Sequence, residues 1–211
     1  MSGTMATAVK ICGITRVEDG LAAARAGAHA VGLVFYPKSP RCITPARACE
    51  IVKALPPFIT TVGLFVNSSA EEVRAVLQQT PVQLLQFQGD ETPEFCRQFK
   101  LPYVKAVRVN PQTDLLQYAR NYHDAKALLL DAYVEGLHGG SGVAFDWSLI
   151  PRDLPLPVIL SGGLTVDNVM DAVRRVRPVA VDVSSGVESA KGVKDAARIS
   201  AFIKKVRNAD L

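Results

Sequence analysis

Val158-Ile159-Leu160-Ser161-Gly162-Gly163 opens the stretch whose reading decides the fold. An apolar, β-branched run stops abruptly in a turn of small residues. A helical pattern follows from Thr165 to Arg175. A second apolar run, Pro178-Val179-Ala180-Val181-Asp182-Val183, then stops in Ser184-Ser185-Gly186. Turns of Gly and Ser bring backbone N–H groups together with no side chains in the way, which is how a chain can cradle a phosphate without a charged side chain. Two such turns at consecutive strand ends predict a βα barrel with an anion site after its last two strands.

Working outward, the same strand–helix alternation covers the chain. Strands are expected at Val9–Cys12, Ala30–Phe35, Thr60–Phe65, Val82–Phe87, Tyr103–Val109 and Ala127–Leu130, the last ending at Asp131. Between them lie helical patterns at Arg16–Ala26, from Thr44 (N-cap, with Pro45 at the first helical position) to Leu55, at Ala70–Gln79 behind Ser68 or Ser69, at Pro93–Phe99 and around Asp114–Asn121. A Gly-rich loop, Ala132 to Val143, precedes a short helical turn near Trp147. Asp195–Arg207 makes the last helix. Eight strand–helix units with no extra elements imply parallel strands joined by right-handed crossovers. The expected fold class is therefore α/β, a (βα)8 TIM barrel occupying residues 1–211 as one domain, with residues 1–8 a loose leader. An open doubly wound sheet needs fewer units. No linker, low-complexity segment or short-period repeat interrupts the pattern.

The totals narrow the function. With 48% hydrophobic residues the chain can bury a large core. The net charge of +4 comes from Lys and Arg scattered along the sequence, a distribution that suits a small anionic substrate and not nucleic acid. Cys12, Cys42, Cys49 and Cys96 show no CxxC spacing and no signal peptide precedes them, so free thiols in a reducing cytoplasm are expected. No run approaches a membrane span. No His/Cys/Asp/Glu set has metal spacing and no GxGxxG is present, so neither a metal nor a dinucleotide cofactor is expected.

In a barrel of this kind chemistry sits at the carboxyl ends of the strands. Two residues there can move protons. Cys12 ends the first strand, either as a buried small hydrophobe or as a base or nucleophile whose pKa has been lowered. Asp131 ends the sixth strand after three leucines, either as a loop cap or as a catalytic acid or base, and the second reading is favoured because partial burial raises a carboxyl pKa and lets it donate a proton near neutrality. Asp182, one residue before the end of the eighth strand, reads as a carboxylate that orients the Ser184-Ser185-Gly186 turn. It is counted with Ser184 in the substrate-binding rim. Arg41 lies in a loop stiffened by Pro37 and Pro40 and can clamp a carboxylate bidentately. Gly139-Gly140-Ser141-Gly142 is either a flexible loop or one that closes over substrate. His29 and His123 fall away from the site, and the polarity of the long loop is enough to explain His138.

Val9-Lys10-Ile11-Cys12-Gly13-Ile14-Thr15, Phe35-Tyr36-Pro37-Lys38-Ser39-Pro40-Arg41, Gly140-Ser141-Gly142 with Phe145-Asp146-Trp147, Leu160-Ser161-Gly162-Gly163-Leu164 and Val181-Asp182-Val183-Ser184-Ser185-Gly186-Val187-Glu188 together resemble the phosphoribosylanthranilate isomerases of tryptophan biosynthesis. The resemblance spans nearly the whole chain, in order. It implies an Amadori rearrangement of N-(5-phosphoribosyl)anthranilate to 1-(o-carboxyphenylamino)-1-deoxyribulose 5-phosphate, with no cofactor or metal. It implies Cys12 as general base, Asp131 as general acid, Arg41 on the anthranilate carboxylate and the phosphate on the backbone around Gly162, Gly163, Ser185 and Gly186. The partner is then a small phosphorylated, carboxylate-bearing substrate, bound by a monomer or a homodimer. The family's fourth strand commonly ends Gln-Leu-His-Gly; here it reads Gln86-Phe87-Gln88-Gly89, and Gln hydrogen-bonds but does not titrate. The alternatives are a related sugar isomerase of histidine biosynthesis and a non-catalytic phosphate-binding barrel. The first places a carboxylate where this chain has Cys12, and a Gly-rich turn where this chain has Phe65-Val66-Asn67. The second leaves the thiol and carboxylate pair without a purpose.

Overall fold

The computed structural model describes residues 6–132 and 145–210. Eight strands run in parallel and close on themselves: β1 (Ala8–Cys12), β2 (Ala30–Val34), β3 (Thr60–Phe65), β4 (Leu84–Phe87), β5 (Tyr103–Val109), β6 (Ala127–Ala132), β7 (Val158–Leu160) and β8 (Ala180–Val183). Each pairs with its neighbour in sequence, and β8 returns to β1 with Lys10 opposite Asp182. Outside them lie α1 (Val17–Ala26), α2 (Pro45–Ala54), α3 (Ala70–Gln79), α4 (Pro93–Arg97), α5 (Leu115–Asn121), α6 (Val169–Val176) and α7 (Ala196–Ala209). Between β6 and β7 the described element is a single 3-10 turn, Trp147–Leu149.

The strand period of two sorts each strand's side chains onto two faces. One face meets the helices: Val9, Ile11, Val31, Leu33, Leu85, Phe87, Leu128, Leu130 and Val181 pack there with Ile51, Val73, Ile199 and Phe202 from the helices. The other face fills the barrel in layers. Val104, Ala106, Ala127 and Leu129 make one layer, and Cys12, Val34, Leu64 and Val66 make another. Truncating a fully buried Leu such as Leu128 to Ala costs about 2–5 kcal/mol.

Caps set where the helices begin. Thr44 accepts the Arg47 N–H ahead of Pro45, Ser69 and Glu72 form a reciprocal capping box, and Asp114 and Asp195 cap α5 and α7. The sixth helix differs from the expected Thr165 start. The Asn168 amide accepts the Thr165 N–H at 2.8 Å and donates to the Gly163 carbonyl at 2.9 Å, holding 165–168 as a turn, so α6 begins only at Val169. The eighth strand runs from Ala180, one residue after Val179, whose N–H donates to the Val158 carbonyl at 2.9 Å and whose carbonyl accepts the Ala8 N–H at 3.0 Å; Pro178 before it has no N–H to give.

The expectation of no extra elements is corrected. After β8 the chain makes a 3-10 turn, Ser185–Val187, and then an antiparallel hairpin of β9 (Glu188–Ala190) and β10 (Val193–Lys194). Its strands are too short to show alternation, and polar residues dominate them. His138 and the Gly139-Gly140-Ser141-Gly142 segment lie outside the described residues, as do the first five residues of the expected leader.

Candidate active site

Parallel register brings the sequence-distant candidates to one rim. Cys12, Val34, Tyr36, Ser39, Arg41, Leu64, Val66, Gln86, Gln88, Asp131, Ser161, Asp182 and Ser184 line one pocket at the carboxyl ends of the strands. A smaller cavity continues from it through Asp131, Ser161, Asp182 and Ser184 to Gly162, Gly163 and Ser185. Cys12 and Asp131 thus face one space from opposite sides of β7 and β8.

Asp131 is buried at the end of β6. Its Oδ1 accepts the Ala132 N–H at 2.9 Å, and its Oδ2 accepts Gln88 Nε2 at 2.9 Å. Burial dominates and pushes its pKa up to about 6, helped by the charge of Asp182 and opposed by the two hydrogen bonds and by Lys10. A carboxyl with that midpoint keeps about a tenth of its population protonated at pH 7.

Cys12 is also buried, and burial holds its thiol pKa above the ordinary value, so the lowering expected of a base or nucleophile is corrected. The ammonium of Lys10, two residues earlier on the same strand face, works in the opposite direction through its charge and a hydrogen bond. Lys10 is itself held by Asp182, Nζ to Oδ1 at 2.8 Å, with both side chains buried. Burial works against its charge, but Asp182 and Cys12 outweigh that and hold its pKa above the ordinary value. The reading of Asp182 is corrected here: its carboxylate is spent on Lys10 and does not orient the Ser184-Ser185-Gly186 turn. Lys10 carries no role in the sequence argument, although its i, i+2 spacing to Cys12 is the signal that could have found it.

Close backbone packing builds the rim after β7 and β8. Gly162 has φ +81°, and a Cβ there would sit 2.8 Å from Asp131 Oδ1 and 3.1 Å from Ala132 Cβ. A Cβ on Gly186 would run into the Leu164 carbonyl, so the turns after β7 and β8 lie directly on one another. Asn168 fixes Gly163 from behind. The Ser184 hydroxyl donates to the Cys12 carbonyl at 3.0 Å, which ties the eighth-strand turn to the first strand. Arg41 reaches the pocket from the loop after β2 with Glu188 on its flank, Nε and Nη2 at 2.7 and 2.8 Å from the two carboxylate oxygens. Glu188, Lys194 and Asn168 are further residues the sequence reading leaves without a role. Among the described residues, no group of three His, Cys, Asp or Glu could hold a metal, and no helix is long and apolar enough to cross a membrane.

The family model for N-(5'-phosphoribosyl)anthranilate (PRA) isomerase matches residues 9–205. The chain belongs to the PRA isomerase family. The N-(5'-phosphoribosyl)anthranilate isomerase of Dechloromonas aromatica is 58% identical over 206 residues, covering 98% of this chain and 99% of that one. That of Azotobacter vinelandii is 60% identical over 200 residues, covering 95% and 97%. The crystal structure of the PRA isomerase from Thermotoga maritima superimposes with a TM-score of 0.88 at 44% identity, over 96% of this chain and 99% of that one. A PRA isomerase solved in complex with reduced 1-(o-carboxyphenylamino)-1-deoxyribulose 5-phosphate superimposes with a TM-score of 0.85 at 43% identity, again over 96% and 99%. The chain is accordingly an aldose–ketose isomerase acting at the PRA step of tryptophan biosynthesis.

Proposed function

We propose that the rearrangement runs on Cys12 as general base and Asp131 as general acid, with Lys10 as the counter-charge for the thiolate. The observation that carries this reading is the pair itself: a buried thiol beside an ammonium and a buried carboxyl with pKa near 6, both opening on one pocket. Protonated Asp131 gives its proton to the furanose ring oxygen. The C1′–O bond breaks, and the nitrogen lone pair forms the Schiff base. The Cys12 thiolate then takes the C2′ proton, and the electrons of that C–H bond become the C1′–C2′ double bond of an enolamine as the iminium nitrogen is neutralised. Loss of the enol proton and protonation of C1′ complete the ketone.

Three binding assignments go with this chemistry. The phosphate lies on the backbone around Gly162, Gly163, Ser185 and Gly186, with Ser184 and Asp182 lining the approach. The support is the closeness of the two turns and the short 3-10 helix, Ser185–Val187, into which the second one winds. Arg41 takes the anthranilate carboxylate. A substrate with one phosphate and one carboxylate also accounts for the positive balance of the chain. Residues 1–211 act as one catalytic domain, and the four unpaired cysteines suit the reducing cytoplasm.

The test is a fluorescence assay of anthranilate-adduct consumption by purified protein, run beside the aminoaldose of histidine biosynthesis. Turnover is expected on the anthranilate adduct. Cys12→Ser and Asp131→Asn are each expected to lose at least about 10²–10⁴-fold in kcat while remaining folded. Near wild-type turnover by either variant removes that residue from its role.

A further inference from the structure

The hairpin of β9 and β10 has no place in the acid–base chemistry, yet it is built into the site with unusual care. It carries two buried charges. Glu188 Oε1 accepts Arg41 Nε at 2.7 Å and Lys194 Nζ at 2.8 Å, while Oε2 accepts Arg41 Nη2 at 2.8 Å. The Glu188 and Lys194 side chains are 6% and 0% exposed. The hairpin is anchored on three sides: Thr15 Oγ1 donates to the Gly192 carbonyl at 2.5 Å, the Lys194 N–H donates to Asp19 at 3.1 Å, and the Arg198 guanidinium donates to the Glu188 carbonyl. Lys194 Nζ also reaches the Ser184 carbonyl and hydroxyl, each at 3.2 Å.

A guanidinium offers two bidentate edges, the Nε/Nη2 side and the Nη1/Nη2 end. Glu188 occupies the side edge of Arg41. Among the described residues Nη1 has no partner, so the end edge is left as the donor set toward the pocket that Arg41 lines. Gly13 supplies the other wall. It has φ +74°, its ideal Cβ would lie 3.2 Å from Arg41 Cγ and closer still to Cδ, and so the Arg41 stem passes directly over the turn that follows Cys12. An arginine on a loop ordinarily spends entropy to hold one geometry. Here a buried carboxylate and a glycine-made channel hold it before any ligand arrives.

We propose that Glu188 is a positioning residue for substrate specificity: by holding the side edge of Arg41 it aims the end edge at the aromatic carboxylate, and so makes recognition of a carboxylated aryl amine depend on the hairpin. The proposal rests on the reading of Arg41 as the carboxylate clamp, and the experiment separates the two. The probes are reduced 1-(o-carboxyphenylamino)-1-deoxyribulose 5-phosphate and its analogue lacking the ring carboxylate, with affinities measured by calorimetry.

The wild-type protein is expected to favour the carboxylated probe by at least about tenfold, the scale of one charge-assisted hydrogen bond. Glu188→Gln is expected to bring the preference to within threefold while changing affinity for the carboxylate-free probe by less than threefold. In turnover it should raise KM about tenfold with kcat within threefold. Arg41→Ala should abolish the preference, and Arg41→Ala with Glu188→Gln should lose nothing more. Equal loss on both probes would make Glu188 a merely structural residue and overturn the proposal. A preference kept in Glu188→Gln but lost in Arg41→Ala would overturn the proposal and leave the clamp standing. A preference kept in Arg41→Ala would bring down the clamp and the proposal together. If Glu188→Gln does not fold, Glu188→Asp keeps the charge with a shorter reach; an intermediate preference is expected, and an unchanged one overturns the proposal.

Discussion

Two buried lysines, on the inner and outer faces of one barrel wall, are held in opposite ways. Lys105 points outward from β5 into the layer between sheet and helices. Its Nζ donates to Glu91 at 3.1 Å and to the carbonyls of Phe87 and Gly89 at 3.3 and 2.5 Å. Three protons meet three acceptors, and Glu91 in turn accepts the Asn67 N–H at 2.7 Å. That network is closed, and it pins the loops after β3 and β4. Lys10 points inward from β1. It has one carboxylate oxygen, that of Asp182, and the thiol of Cys12. Its network opens onto the pocket. Burial and ion pairing are therefore no mark of function in themselves; what separates the two lysines is whether the surrounding acceptors use up the charge.

Replacing each pair by neutral side chains of similar size sharpens the contrast. Lys10→Met with Asp182→Asn removes both charges together and avoids an orphaned buried carboxylate, so stability should stay within about 2 kcal/mol of wild type. The kcat of that variant is expected to fall by roughly 10²–10⁴, because the thiolate loses its counter-charge. Steady-state turnover and denaturant titration read the two effects. Near wild-type kcat would mean that Lys10 only fills space. Lys105→Met with Glu91→Gln should do the reverse, costing about 3 kcal/mol of stability as two carbonyls lose their donor, with kcat within a few-fold at low temperature. A stable, inactive outer variant would erase the distinction.

The outer layer was far more legible than the inner one. Strands β3, β5 and β7 fall where apolar runs placed them, and Thr44, Ser69 and Pro45 announce their helices through local rules. That Cys12 and Asp131 face one pocket was readable because each ends an apolar run, and strand ends of a barrel share one rim. The Lys10–Asp182 pair joins residues 172 apart in sequence and the Arg41–Glu188 pair residues 147 apart, so closure of the barrel, and no local pattern, brings them together. The hairpin of β9 and β10 escaped because two strands of three and two residues carry no period. The start of α6 moved because one side-chain amide, that of Asn168, competes with the helix for the backbone.

Asp131 is the inner charge without a cation bonded to it, and its burial has a signed consequence for stability. Its folded pKa is about 6 against an ordinary 3.8, so the folded state holds the proton more tightly. The contribution is full below pH 4 and is lost as pH rises through 6; by pH 7 ionised Asp131 costs roughly 3 kcal/mol. Asp131→Asn does not titrate. The stability of Asp131→Asn relative to wild type is therefore expected to improve by up to about 3 kcal/mol between pH 4 and pH 7, read by urea titration at each pH. A difference independent of pH would show that the carboxyl is better solvated than its surroundings imply.

The smallest effect tests how the inner polar groups are oriented. Gln86 Nε2 donates to Gln88 Oε1 at 2.7 Å, which leaves the Gln88 amide able to offer Asp131 only its N–H, at 2.9 Å. A donor favours the carboxylate, so Gln88 restrains a pKa that burial drives upward. Gln88→Leu should move the alkaline limb of the kcat/KM profile up by about 0.5–1 pH unit, with a few-fold lower kcat from a less firmly held acid. The substrate phosphate titrates identically with both proteins, so the difference between profiles isolates Asp131 with Lys10 and Asp182 still facing it. Gln88→His, restoring the residue common in the family, should move the limb down wherever the imidazole is charged. If Leu leaves the limb in place, the amide relay has no hold on the acid, and the inner network is open at Asp131 as well as at Lys10.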